Sequence, residues 1–154
     1  MCKFTALDFF SLFISAASHD IDHPGNNNLY EIKTRSKLAT LYNDVSVLEN
    51  HHAASLFFIL EDESCNIMSN LSSDQINVAR KQMIENILYT DMTKHMALTN
   101  DLTNLPKKED YDPQVKHKSE IMKALVHAAD IGNPTRPFEI AKMWTIRILR
   151  EFFS

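Results

Sequence analysis

Two histidines and two aspartates fall within five residues near the start of the chain, in Ser18-His19-Asp20-Ile21-Asp22-His23-Pro24-Gly25-Asn26-Asn27-Asn28. His19 and His23 are four apart, so on a single helix both imidazoles would leave the same face, with Asp20 beside them as an oxygen donor. Imidazole and carboxylate together suit a divalent transition-metal cation. Pro24 disfavours helical geometry at His23 and Gly25 lets the backbone turn, which places the cluster at the end of a helix rather than inside one. The plain alternative is a polar surface turn, and the density of ligand-type side chains weighs against it. A further acid stands in Val126-His127-Ala128-Ala129-Asp130-Ile131-Gly132-Asn133-Pro134. There Asp130 closes a helical pattern, opposing the helix dipole unless a cation or donor compensates it.

These groups need helices to carry them. Phe4 to Ala17, after Lys3, imitates a short signal peptide, but Asp8 interrupts it and the run falls short of the ~20 apolar residues of a membrane span. A buried helix explains it better. Leu7, Phe10, Ile14 and Ala17 form one stripe, and Phe9, Leu12, Phe13 and Ala16 widen it almost to the full circumference, as for a helix surrounded by protein. Asn26 to Thr34 reads as a loop, and Arg35 to Tyr42 as a short helix with Leu38, Ala39 and Leu41 inward.

Ser46-Val47-Leu48-Glu49 has the spacing of a capping box that opens a helix through His51 and His52 to Leu60, which makes Glu49 a cap in the first instance. Ser72-Ser73-Asp74-Gln75 repeats that spacing before a long helix with Ile76, Met83, Ile84, Ile87 and Leu88 on its apolar face. Thr90-Asp91-Met92-Thr93-Lys94-His95 then interrupts that face with polar groups, for which solvation is the default. Leu105 to Pro113 reads as a surface loop. Gln114 to Asp130 reads as a helix with Val115, Met122, Leu125, Val126 and Ala129 inward, and Pro137 opens a last helix. On that helix Phe138, Ala141, Trp144, Ile148 and Phe152 make a stripe that reads as core.

No alternating strand pattern appears, and two glycines in 154 residues leave little material for hairpins, so the expected class is all-α. The length suits one domain. A net charge of -4 without a Lys/Arg cluster argues against a nucleic-acid polymer as partner. Cys2 and Cys65 stand alone, with no disulfide framework, so a reducing compartment is expected, and a cytoplasmic setting is the default for want of an export or membrane segment.

Read together, these segments resemble the catalytic domain of the class I cyclic nucleotide phosphodiesterases, a branch of the HD-domain metal hydrolases. The resemblance rests on four blocks in order: His19-Asp20-Ile21-Asp22-His23-Pro24-Gly25 with Asn28, Leu41-Tyr42-Asn43-Asp44 into Ser46-Val47-Leu48-Glu49-Asn50-His51-His52, Thr90-Asp91-Met92 with His95, and His127-Ala128-Ala129-Asp130-Ile131 with Asn133-Pro134. It covers essentially the whole chain, through Trp144-Thr145 and Glu151-Phe152-Phe153. It implies a multi-helix HD-domain-like fold and two divalent metals, zinc with magnesium or manganese. His19, Asp20 and Asp130 would be direct ligands, with Asp20 bridging the metals, while His23, Glu49 and Thr90 would hold metal-bound waters.

The implied reaction is hydrolysis of a 3′,5′-cyclic nucleotide, cAMP or cGMP, to its 5′-monophosphate, with Asp20 and Asp130 serving activation of the attacking water. Asn133, Ile148, Phe152 and Met92 would meet substrate, Ile148 and Phe152 by clamping the purine. The blocks around Glu49 and Thr90 favour this over another HD-type phosphohydrolase.

The same resemblance implies an upstream His-Asn-x-x-His type motif, bearing the general acid and the remaining zinc ligand, and a purine-binding glutamine beyond Ser154. The expectation is therefore that residues 1–154 form a partial catalytic domain, incomplete at both ends, with the activity belonging to a parent protein and the isolated chain impaired. The competing expectation is a catalytically inactive truncated fragment that binds metal or associates through uncovered apolar surface.

Overall fold

A box at Thr5 starts the first helix, α1 (Ala6–Ser18): the Thr5 hydroxyl accepts from Asp8 N at 3.2 Å, and the Asp8 carboxylate accepts from Thr5 N at 2.7 Å. The computed structural model describes residues 3–153, so Cys2 lies outside it; Cys65 is exposed and free. Seven helices follow: α2 (Asn28–Lys33), α3 (Lys37–Leu41), α4 (Val47–Glu61), α5 (Ser73–Leu88), α6 (His95–Asn104), α7 (Lys118–Asp130) and α8 (Phe138–Phe152). Tight 3-10 turns stand at Met92–Lys94, Leu105–Lys107 and Asn133–Thr135. No strand occurs among the described residues, as the all-α expectation requires.

The core joins α4 to α5. Ala53, Leu56, Phe57 and Leu60 of α4 meet Ala79, Met83 and Ile87 of α5 together with Met68, and Leu7, Phe10 and Ile14 of α1 pack at the edge. α5 opens with the Ser72–Gln75 box, both arms formed as its sequence spacing predicts. It also packs against α1 and α7.

The buried face of α1 is not the aromatic one. Its fully covered positions are Asp8, Ser11, Ser15 and Ser18. Each serine hydroxyl donates to the carbonyl one turn back, Ser11 to Leu7 at 2.9 Å, Ser15 to Ser11 and Ser18 to Ile14 at 2.6 Å. The hydroxyls are satisfied within the helix, so small side chains can face α5 without a desolvation cost. Asn86 of α5 adds a bond to Ser15 Oγ. Phe9 is exposed and Phe13 is 73% exposed, which corrects the reading of α1 as a helix enclosed on all sides.

Several other expectations change with the structure. Residues 28–33, read as loop, are helical because Asn27 caps them through Tyr30 N. In α3 Ala39 is buried while Leu41 faces out. α7 begins at Lys118, later than its pattern suggested, because Asp112 ties residues 112–117 into a turn by accepting from Gln114 N, Val115 N and His117 N. Val115 and Leu125 are exposed accordingly. The stripe on α8 is not core: Phe138, Trp144, Ile148 and Phe152 are all exposed, and the helix packs chiefly against the turn that precedes it.

Asp8 makes the main polar tie between α1 and its neighbours. It is 2% exposed, and its carboxylate accepts from Lys118 Nζ of α7 at 2.9 Å and from Gln82 Nε2 of α5 at 2.7 Å. Burial by itself would push this carboxyl up, but the bonds from Lys118, Thr5 and Gln82 outweigh it and hold the group at about 2. Removing one partner of a buried pair strands the other charge, so Asp8→Ala is expected to lower stability by about 3 kcal/mol in urea unfolding. Because the folded value lies below the ordinary 3.8, the stability that Asp8 contributes is present above that pH and is lost as pH falls toward 2. Urea midpoints measured across that range should fall with pH in the native chain, with a shallower slope in the variant.

Candidate metal centre

α1 and α7 lie side by side and run the same way, since Asp8 meets Lys118 near their starts and His19 meets Asp130 at their ends. The chain leaves helical geometry after Ser18, with His19 as the cap residue. Its Nδ1 donates to Ala16 O at 2.9 Å, which fixes the ring and aims Nε2 at two carboxylates. Nε2 stands 3.1 Å from Asp130 Oδ1 and 3.2 Å from Asp20 Oδ2. Bonds to Asp130 first and to Asp20 second lift His19 to about 10 against the opposing effect of burial, and the same contact pulls Asp20 down. The place demands positive charge.

One nitrogen and two oxygens from His19, Asp20 and Asp130 lie within 4.8 Å of one another, a donor set that fits a divalent cation taking imidazole and carboxylate together. Ala16, Val126, Ala129, Asn133 and Trp144 complete the wall of a cleft of about 250 Å³ around them. The cleft therefore has an anionic floor and partly apolar sides.

His23 lies outside this cluster. α1 has already ended, Asp22 adopts a left-handed φ of 59°, and the His23 ring turns aside to accept from Gly25 N on Nδ1 and to face Glu151 of α8 at 3.6 Å through Nε2. The single-face pairing of His19 and His23 accordingly does not occur. His23 stacks on His52, which is buried, donates Nδ1 to Ile21 O and is pushed down by that burial. His51 points elsewhere and bonds Asp22 at 2.8 Å, in line with the divergence expected of adjacent helical residues.

The box expected at Ser46 does not form. Ser46 takes a left-handed φ of 42° and gives its hydroxyl to Asp91 Oδ2 at 2.7 Å, so it caps nothing with its side chain. Asn28 supplies the cap instead: its Oδ1 accepts from Leu48 N at 2.9 Å, and its Nδ2 donates to Glu49 Oε2 at 2.9 Å and Oε1 at 3.2 Å. Burial pushes the Glu49 carboxyl up, against the opposing hydrogen bonds from Asn28 and from its own backbone N–H. Thr90 and Asp91 are buried rather than solvated, Thr90 donating to Ile87 O.

Of the residues assigned to substrate by resemblance, Asn133 lines the cleft, whereas Ile148, Phe152 and Met92 are exposed and do not. Trp144 does line it, although its spacing marked it only as one member of an apolar stripe. Asn28, and Asp91 as the anchor of Ser46, carried no signal of their positioning contacts, because their partners lie 20 and 45 residues away.

The family described as 3′5′-cyclic nucleotide phosphodiesterase has a profile that matches residues 1–154. The chain is 40% identical over 158 residues to 3′,5′-cyclic-AMP phosphodiesterase 4C of Rattus norvegicus, an alignment covering 98% of this chain and 30% of that protein. It is 38% identical over 157 residues to probable 3′,5′-cyclic-AMP phosphodiesterase pde-4 of Caenorhabditis elegans, covering 97% and 23%. In three dimensions it is similar to the phosphodiesterase domain of the RhoPDE fusion protein from the choanoflagellate Salpingoeca rosetta, with a TM-score of 0.90, 36% identity, and coverage of 96% of this chain and 48% of that one. It spans under a third of these curated relatives and about half of the solved domain. With a match along its whole length and the same helical arrangement, the chain belongs to the 3′5′-cyclic nucleotide phosphodiesterase family.

Proposed function

We propose that residues 1–154 are part of the catalytic domain of a metal-dependent phosphodiesterase that opens a 3′,5′-cyclic nucleotide to its 5′-monophosphate. The observation that carries this reading is the convergence of His19, Asp20 and Asp130 on one point of a cleft. Bound there, divalent cations, Zn²⁺ with Mg²⁺ or Mn²⁺, would supply Lewis acidity at phosphorus and acidify a water. His19 offers Nε2 while Ala16 O holds its other nitrogen, and Asp130 offers an oxygen from the end of α7. Asp20 is the most exposed of the three, and its carboxylate would be offered to both cations. His23, Glu49 and Thr90 would orient water beside them.

Asn133 and Trp144 would meet the nucleotide at the cleft, with Ile148, Phe152 and Met92 contributing from exposed positions. The names of the relatives point to cAMP as substrate. No helix among the described residues is long and apolar enough to cross a membrane, and a cytoplasmic setting fits such a substrate.

Among the described residues that line the cleft, His19 is the sole histidine, and it is engaged by two carboxylates. With that imidazole engaged, no free histidine stands among the described lining residues to protonate the leaving oxygen, which supports the reading that residues 1–154 alone hydrolyse cyclic nucleotides poorly. The exposed aromatic face of α8 favours a second reading, a non-catalytic fragment that associates through that surface.

Two measurements bear on this. Asp130→Asn should weaken binding of Mn²⁺ or Zn²⁺ at least about tenfold by calorimetry, while helical circular dichroism is retained. With Zn²⁺ and Mg²⁺ present, the 154-residue chain should release 5′-AMP from cAMP at least about 10²-fold more slowly than an upstream-extended form. Comparable rates would sink the claim of impairment. A metal-loaded extended form without turnover would replace the enzyme reading by the interaction one.

A further inference from the structure

We propose that Asn28 is a positioning residue of the metal centre, whose side-chain amide caps α4 and fixes the Glu49 carboxylate at the same time. This rests on the reading of Glu49 as a group that orients water at the centre. The start of α4 has no local side-chain cap, because the Ser46 hydroxyl is committed to Asp91 and the Ser46 backbone is left-handed. Asn28 fills that role from the first residue of α2. Its oxygen takes the Leu48 N–H at 2.9 Å, and its amide nitrogen bridges both oxygens of Glu49, at 2.9 and 3.2 Å. A carboxamide accepts on its oxygen and donates from its nitrogen, whereas an ionised Asp has no donor to offer Glu49 and a Ser hydroxyl presents only a single atom.

The consequence is geometric. Held by both oxygens, the Glu49 carboxylate cannot rotate freely, and its direction is set by α2, the element directly downstream of the His19 to Gly25 turn. Asp91 and Lys94 are the other charged groups that act on it, one pushing its carboxyl up and the other down. Asn28 thereby couples the placement of the first block to that of α4, without itself belonging to the ligand set.

The test is a double-mutant cycle on Mn²⁺ binding, combining Asn28→Ala with Glu49→Gln and read by calorimetry and Mn²⁺ electron paramagnetic resonance. Asn28→Ala is expected to weaken Mn²⁺ about tenfold in the native background and by less than about twofold when Glu49 is already Gln. Equal losses in both backgrounds would overturn the proposal, because a role in helix capping alone would act independently of Glu49. If Asn28→Ala does not fold, Asn28→Asp replaces it in the cycle, since it keeps an oxygen for Leu48 N and loses the donor toward Glu49. Unchanged Mn²⁺ affinity in Glu49→Gln, or no Mn²⁺ binding by the native chain, would remove the reading of Glu49 and the proposal with it.

Discussion

The contact between Asp8 and Lys118 sets the register on which the candidate metal centre depends. Eleven residues separate Asp8 from His19 on one helix, and twelve separate Lys118 from Asp130 on the other. At ~1.5 Å per residue both stretches run about 17 Å, so two parallel helices pinned at their starts must bring His19 and Asp130 together at their ends. A slip of one helical turn, about 5.4 Å, would part His19 from Asp130 and the Lys118 ammonium from the largely buried Asp8 carboxylate. The pin and the site stand at opposite ends of the same pair of rods.

That arrangement requires α1 to lie close to α5, and the serine stripe makes this feasible. A bulky apolar face would have held the helices apart, whereas Ser11, Ser15 and Ser18 bond their own helix and present little volume. Close approach of α1 and α5 places Gln82 beside Asp8 and Asn86 beside Ser15. The polar groups buried there are matched with one another, which gives the interface one preferred alignment in a way that interchangeable methyl groups would not.

The backbone departs from regular geometry where the chain must change direction quickly. Asp22, Asn43, Asp44 and Ser46 all have positive φ, and Asp and Asn tolerate that region better than most residues. Ser46 is held there by Asp91, which links the entry to α4 with the turn after α5. The cleft thus collects the ends of α1 and α7, while the Glu49 carboxylate, outside its lining, is held by a side chain of another element, Asn28. The contacts that lift His19 and pull Asp20 down give the electrostatic character of the site: carboxylate oxygens converge on one imidazole. A divalent cation satisfies the same demand with more charge.

Much of this was legible in the chain by itself. The helical class followed from the absence of strand alternation and the scarcity of glycine, and the box at Ser72 was read correctly because its partners are three residues apart. His19, Asp20 and Asp130 stood out by type and by position at predicted helix ends, and local signals suffice for such groups. What only the tertiary structure decided were the relations between distant segments. Ser46 and Glu49 match the local rule for a cap, yet Asp91 and Asn28 outcompete it from 45 and 21 residues away. α1 buries its serines and α8 exposes its aromatics because burial is determined by what packs alongside, and a helical stripe records periodicity without naming the neighbour. The sequence determined the donor set and the class of helix that carries it; packing decided which carboxylates meet which imidazole.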